Sequence, residues 1–525
     1  MSPSARLHAR RRSGLGNRPP EMKIVDAFHV GEQTARPRMN WLDERGADLL
    51  NTRLLDLLES HGVVVMHREA YQALIGAGAR EGREPHRLRL PKKLVLEALA
   101  ATPKHARLCG KRPECDIDLP RADGGFIMRT GTGAHGFVDP ENGAYRNMQL
   151  ADVVTIAAVA GQLDEIGFIA HPFVHGVPEL TSDIHSYAAL SRRTVKHVWM
   201  QPYNKENVAW LLRLAAAAAG GEQNLRERPS TSCIVCSFTP LEFKVMDIEA
   251  MIACGHNGVP IHACSLPSAG GTGPITVPGM VLMAVSEIVA MITMAHVLAP
   301  LTPVIATPLI FTLDMRTGRS LQACVESLQA AGMAIEFLKQ RLGLLAHSYG
   351  AGSDTPDADA QSMAERALLG QTVAMAGADI LGGVGQLECA TVFSPVQAVL
   401  DNELGGMLRR YLAIQQPDDE SVNWSELSAM RAGGHFLDSS HTLKYCRRQY
   451  RPRVFLRENR DGYEASKRRD ALDHAREICL GFMANSPPPA IQDEIQCREM
   501  EILVASADRE ILAAEAANTG AREEI

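Results

Sequence analysis

Residues 259–318 read VPIHACSLPSAGGTGPITVPGMVLMAVSEIVAMITMAHVLAPLTPVIATPLIFTLDMRTG. Two short apolar runs, VPIHAC at 259–264 and PVIATPLIF at 303–311, flank a longer apolar stretch. The stretch 288–313 holds no Asp, Glu, Lys or Arg over 26 residues. It also carries Pro300, Pro303 and Pro308 as well as His296. A membrane-spanning helix tolerates that many prolines poorly, because each removes a backbone donor and crowds the preceding turn. The order is therefore buried strand, Gly-rich turn, buried helix, Pro-containing turn, buried strand. That is one βαβ unit of a parallel sheet.

The same rhythm extends outward. Further short runs are GFIA at Gly167, HVWMQ at His197, CIVCSF at Cys233, LGLLAH at Leu342 and ADILGG at Ala378. Helical patterns lie between them at 205–219, 278–298, 319–340, 361–376 and 396–413. Seven strand-and-helix units at this spacing predict an α/β protein built on a TIM (β/α)8 barrel. The eighth strand is expected either near Gly434-His435-Phe436 or earlier in the chain. Residues 1–40 read as a disordered basic tail, 41–160 as an N-terminal extension of helices and short strands, 161–440 as the barrel, and 441–525 as C-terminal helices.

Composition narrows the function classes. The 525 residues are 46% hydrophobic, with a net charge of -7 and a pI near 6.2, so no basic field points to nucleic acid. The 11 cysteines are scattered, and Cys233 and Cys236 sit inside apolar runs, which reads as reduced buried thiol in a cytoplasmic protein. The basic N-terminus lacks the apolar core of a secretory signal.

A TIM barrel places its chemistry at the C-terminal ends of its strands. The polar and aromatic residues just beyond each run are therefore candidates: His171, Tyr203, Phe238, Asp314, Arg316, His347, Asp354 and Glu388, with Phe173, Gln201 and Phe311. The turn SLPSAGGTGPIT (265–276) brings Gly270 and Gly271, whose amides could face a ligand. The acid and base in LDMRTG read either as a charged clamp or as a mutual ion pair at the rim. Asp354, Asp357 and Asp359 lack the glycine and glutamate of an EF-hand, and helix capping by Asp357 or Asp359 is the simpler reading. His262-Ala263-Cys264, with Cys324 or Cys389, keeps open a zinc–thiolate methyltransferase on the same barrel.

Several stretches together resemble the trimethylamine methyltransferase family: PSAGGTGPITVPGMVLMAVSEIVA (267–290), PLIFTLDMRTG (308–318), GSDTPDADAQSMAE (352–365), LECATVFSPVQAVLDNELGGM (387–407) and GGHFLDSSHTLKYCRRQYRP (433–452). Weaker similarity runs through 136–154. The resemblance implies a barrel subunit that binds a methylated amine. It passes one methyl group to the Co(I) of a corrinoid (cobalamin) carried by a separate protein, and itself holds no tightly bound cofactor. Archaeal trimethylamine enzymes of the family carry pyrrolysine near the SD loop, where this chain has Pro356. A tertiary amine needs help to leave, whereas a quaternary ammonium leaves as a neutral amine. The departure at Pro356 therefore favours a quaternary amine such as glycine betaine, proline betaine or carnitine. On this reading Asp314, Asp354 and Glu388 are the catalytic candidates. Arg316, His347, Phe311, Phe238, Tyr203, His171, Gly270 and Gly271 are the substrate-binding ones, and no metal site is assigned. A homo-oligomer without nucleic-acid or membrane partners is expected. The reading from another class is a non-catalytic subunit that binds the amine or the corrinoid protein.

Overall fold

The computed structural model describes residues 34–35 and 38–523. The basic tail read at 1–40 lies almost wholly outside them. Eight parallel strands close into a barrel: β1 (Ile127–Thr130), β2 (Ile166–Ala170), β3 (His197–Met200), β4 (Thr231–Cys236), β5 (Ile261–Ser265), β6 (Val304–Pro308), β7 (Leu345–Tyr349) and β8 (Ile380–Val384). Closure comes from β8 pairing with β1, Ile380 beside Ile127 and Leu381 beside Met128. Each strand is followed by a helix: α1 (Leu150–Gly161), α2 (Ser182–Arg193), α3 (Lys205–Ala219), α4 (Val245–Asn257), α5 (Val277–Leu298), α6 (Val325–Glu336), α7 (Ala360–Ala376) and α8 (Pro395–Leu412). The α/β barrel expected from the sequence is thus the fold of this chain.

The missing strand lies early. Residues 434–436 belong to no strand, and the barrel begins at Ile127, inside the stretch read as extension; its boundary at 161 is corrected to this point. FIMRT escapes a periodicity search because a charged residue, Arg129, interrupts a four-residue run set among glycines. The strand is buried throughout all the same.

Local signals place the helix ends. Asn204 caps α3 by accepting from Asn207 N–H, and Gly220, at φ +79°, ends it in the left-handed region. Asp359 caps α7 by accepting from Ser362 N–H at 2.8 Å, as the capping reading expected. Pro395 opens α8 behind the Ser394 cap.

The uncharged stretch resolves as α5, a turn and β6. Helix α5 is apolar all round because both its faces are covered. Its inner side packs on β5 and β6, and its outer side on the N-terminal helices Glu44–Ser60, Arg68–Gly76 and Lys92–Ala101. The C-terminal helix Ala471–Ala484 packs on α8 and α1, and Glu494–Glu523 on α3 and α2. Residues 418–449 fall in a second compact unit. There Glu426 accepts from Ser440 and Asn423, and Glu420 takes Lys444 and Tyr445.

Candidate active site

The barrel axis is polar where most barrels are aliphatic. Strands β1, β3, β5 and β7 each send one side chain inward at the same level: Arg129, Trp199, His262 and His347, all fully buried. The Arg129 guanidinium lies 3.6 Å from the centroid of the Trp199 ring. Its Nε donates to His347 Nε2 at 3.0 Å and its Nη1 to the Thr130 carbonyl at 2.7 Å. His262 stacks on Trp199 at 4.6 Å and 12°. Among the described residues no carboxylate partners Arg129, and burial pulls its guanidinium down to about 9. Burial first, then the Arg129 charge, holds His262 and His347 well below the usual histidine range, so both are neutral.

Above this layer the mouth loops are fixed by buried charge. Glu287 stands alone in the apolar helix α5, with no exposure to solvent. It accepts from Ser237 Oγ (2.6 Å), Thr239 Oγ1 (2.9 Å), Leu241 N–H (2.8 Å) and Ser265 Oγ (2.5 Å). One carboxylate thereby ties the loop after β4 to the end of β5. On the far side Arg366 of α7 pairs with Asp401 of α8 at 2.8 Å, both fully buried. Arg366 also donates to the carbonyls of Ala351 and Gln386, and Asp401 accepts from Gly385 N–H, so this pair joins the loops after β7 and β8. Gln386 reaches across to the Thr132 carbonyl at 2.7 Å, and Thr132 Oγ1 donates to Gln201 Oε1 at 2.5 Å.

Beside that bridge, at the ends of β1, β2 and β3, lies a cavity of about 550 Å³. Its lining includes His135, Phe173, His175, Glu179, Gln201 and Tyr203, and no lysine or arginine. Phe173 and Tyr203 face each other at 5.4 Å and 34°, and His175 meets Phe173 edge-on at 5.2 Å. His171 sits behind, its Nε2 accepting from Gln201 N–H at 2.9 Å, with burial pulling the ring down to about 4. The buried Asp183 holds Tyr203 in place by accepting its N–H at 2.8 Å, and burial pushes that carboxyl up to about 6. The Tyr203 hydroxyl and His175 Nε2 are buried without a hydrogen-bond partner. Volume and lining suit a small organic cation: aromatic faces attract it, Glu179 adds negative charge, and nothing positive repels it.

The family model for trimethylamine methyltransferase (MTTB) matches residues 9–511. The chain belongs to the trimethylamine methyltransferase family. It is 26% identical to trimethylamine methyltransferase MttB of Desulfitobacterium hafniense (strain DSM 10664 / DCB-2) over 460 residues, covering 87% of this chain and 92% of that protein. It is 24% identical to the glycine betaine methyltransferase of Desulfitobacterium hafniense (strain Y51) over 486 residues, covering 90% and 98%. Among solved structures, the monomethylamine methyltransferase (MtmB) of Methanosarcina barkeri superposes with a TM-score of 0.50 at 13% identity, over 84% of this chain and 90% of that one, which shows the shared fold. The chain is accordingly a methyltransferase.

Within this family member the candidate residues divide. Tyr203 lines the cavity with Phe173 and Gln201, and His171 packs behind Tyr203 at 6.0 Å between ring centroids. The other candidates are elsewhere. Asp314 and Arg316 form a surface turn: the carboxylate accepts from Arg316 N–H (3.0 Å) and Thr317 Oγ1 (2.7 Å), and the Arg316 side chain is 93% exposed. The mutual-pair reading fits that turn, and the clamp does not. Asp354 spends both oxygens on the amides of Gln322 and Ala323, each at 2.9 Å, and so positions the start of α6. Glu388 lies outside the cavity lining, in a left-handed run with Cys389 and Ala390 at φ 48°, 51° and 74°. His347 is an axial residue beneath the mouth rather than a donor in it. Phe311 packs edge-on against Tyr349 at 5.9 Å, and the Phe238 ring is already covered by Lys244 Nζ at 3.4 Å. Gly270 and Gly271 belong to a turn that consumes its own amides: Gly271, Thr272 and Gly273 all donate to the Ser268 carbonyl. His262 is engaged by Trp199 and by Ser232 Oγ at 3.0 Å. Among the described residues no three His, Cys, Asp or Glu side chains gather as metal ligands, so the zinc–thiolate alternative finds no ligand set.

The sequence reading passed over Arg129, His175, Glu179, Asp183, Glu287 and the Arg366–Asp401 pair. Glu287 and Arg129 did carry a signal: each is the lone charge inside an otherwise apolar element.

Proposed function

We propose that this methyltransferase takes a methyl group from a quaternary amine such as glycine betaine and delivers it to the Co(I) centre of a corrinoid protein presented at the barrel mouth. The observation that carries the reading is the cavity at the ends of β1–β3, lined by Phe173, Tyr203 and Glu179 and by no cationic side chain. Each aromatic face contributes about 0.5–2 kcal/mol toward a cation. Two faces and a carboxylate supply a few kcal/mol, the scale of a millimolar complex.

The chemistry asked of the chain is modest. The bound ammonium departs as a neutral amine, so no group here has to protonate it. The residues bind the cation, turn one methyl outward and keep water away. The acceptor is a second substrate, and its reduced cobalt supplies the nucleophile. The tied loops suit such a task, because Glu287, Arg366 and Asp401 join them through buried hydrogen bonds.

The test is an anaerobic spectroscopic assay. Purified protein and a cognate corrinoid protein in the Co(I) state are mixed with trimethylamine, glycine betaine, proline betaine, carnitine or choline. The reading expects methyl-Co(III) with a quaternary amine and none with trimethylamine. Methyl transfer from trimethylamine would overturn the quaternary assignment. Amine binding without any methylated cobalt would favour the binding-subunit alternative.

A further inference from the structure

Strands β4 and β5 end on two thiols set side by side. Cys236 and Cys264 are direct partners in the register of the two strands. Neighbouring strands lie about 4.8 Å apart, inside the window of roughly 4.4–6.8 Å between Cα atoms that a disulfide spans. Partners in register also send their side chains to the same face. Here that face is the barrel interior. Cys264 follows the axial His262 by two residues, and Cys236 follows Ser232 by four, with Ser232 Oγ meeting His262 Nε2 at 3.0 Å.

The register is held on both sides. Glu287 accepts from Ser237 Oγ at 2.6 Å and from Ser265 Oγ at 2.5 Å, the residues that follow the two cysteines. Ser237 N–H donates to the Cys264 carbonyl at 3.0 Å, and Cys236 N–H to Asp247 Oδ1 at 2.8 Å. The Cys264 thiol, as hydrogen-bond partner, and then burial hold the Cys236 thiol well above its usual range, so Cys236 rests protonated. Cys264 is fully buried, whereas Cys236 at the strand end is partly open to solvent, so an oxidant reaches Cys236 first. The barrel also supplies a comparison. Cys233 lies out of phase with Cys236, turns away from the axis and meets Cys254 of α4, and both of those are fully buried.

We infer that Cys236 and Cys264 form a reversible oxidation site for hydroperoxides. The Cys236 sulfur gives two electrons to the peroxide O–O bond, which breaks to leave a sulfenic acid on Cys236 and an alcohol, or water from hydrogen peroxide. The Cys264 sulfur then attacks the Cys236 sulfur. The S–O bond breaks, and its hydroxyl leaves as water with the Cys264 proton. Two thiols and one hydroperoxide become one disulfide, one water and one alcohol. Arg129, in the layer beneath, is acted on first by burial and then by Tyr349 and Cys264. Its guanidinium, with no carboxylate partner among the described residues, is placed to balance negative charge on the Cys264 sulfur as that sulfur attacks.

The probe is hydrogen peroxide in excess, added to the reduced full chain. Remaining thiols are alkylated after denaturation, and the products are read by intact mass and by tandem mass spectrometry of peptides. Wild-type protein is expected to lose two of its 11 thiols to one Cys236–Cys264 cross-link, and dithiothreitol should restore both. Cys236→Ala and Cys264→Ala should each abolish the cross-link, and Cys254→Ala should leave it unchanged. In Cys264→Ala, dimedone should trap a sulfenic acid at Cys236. A cross-link that survives Cys264→Ala, or vanishes with Cys254→Ala, assigns the oxidation to another pair and overturns the site. Peroxide that consumes Cys115, Cys324, Cys389 or Cys446, the other partly open thiols, while Cys236 stays reduced overturns it too. So does a wild-type chain that keeps all its thiols.

Discussion

Asp314 and Glu287 show how far the type of a residue is from its role. Asp314 ends an apolar strand two residues before an arginine and reads as a catalytic candidate. In the structure its carboxylate closes a turn at the surface, with the Arg316 amide and then the Thr317 hydroxyl keeping it below its usual range. Asp314→Ala is expected to leave substrate affinity and transfer rate within twofold of wild type by titration and stopped-flow spectroscopy. Glu287 attracts no notice in the sequence beyond its isolation in PGMVLMAVSEIVAMITMAH (278–296). Yet it satisfies four donors from two mouth loops at once. Glu287→Ala strands those donors in a dry interior and is expected to cost on the order of 3 kcal/mol in urea unfolding. A loss under 1 kcal/mol with unchanged activity would remove Glu287 from the account. Side-chain roles of this kind escape sequence reasoning because they depend on which loops meet in space. Pattern places a residue on a strand end, and only packing decides which way its oxygens point.

At the level of elements, the strands and helices were legible because periodicity and length carry most of the information about a buried parallel sheet. All seven β-like runs overlap barrel strands, and 205–219 coincides with α3. The exceptions have physical reasons. Strand β1 is short and bears a charge, so no apolar run announces it. Helix α6 begins at Val325 rather than 319 because Ser320–Leu321 is taken by a small sheet at the mouth, paired with Phe311–Leu313. The same strands carry a titration signature. Burial lowers His171 and His197 to about 4, and burial together with neighbouring positive charge also holds His262 and His347 well below the usual range. Each binds a proton in the unfolded chain near 6.5 but not in the fold. Each therefore supports stability above pH 6.5 and loses about 1.4 kcal/mol per pH unit on acidification toward 4. Asp183, Asp247 and Asp401, raised to about 6 by burial, act in the opposite sense between about 6 and 4. Histidine NMR is expected to show these four rings neutral at pH 5. A ring among them titrating near 6.5 would contradict the burial that defines the axial layer.

For the whole molecule, the barrel is wrapped rather than bare. N-terminal helices cover α5, and C-terminal helices cover α1, α2, α3 and α8. That wrapping explains why a helix apolar enough to suggest a membrane span belongs to the core: 72% of its most apolar window is buried. It leaves the strand C-termini as the place for chemistry, with the cavity on the β1–β3 side of the mouth. The central claim is that the methylated amine sits there, and diffraction from crystals grown with glycine betaine tests it most directly. The account predicts a trimethylammonium group within about 6 Å of the Phe173 and Tyr203 ring centroids. Glycine betaine bound instead beside Asp314 and Arg316, or in the turn at Gly270 and Gly271, would contradict it.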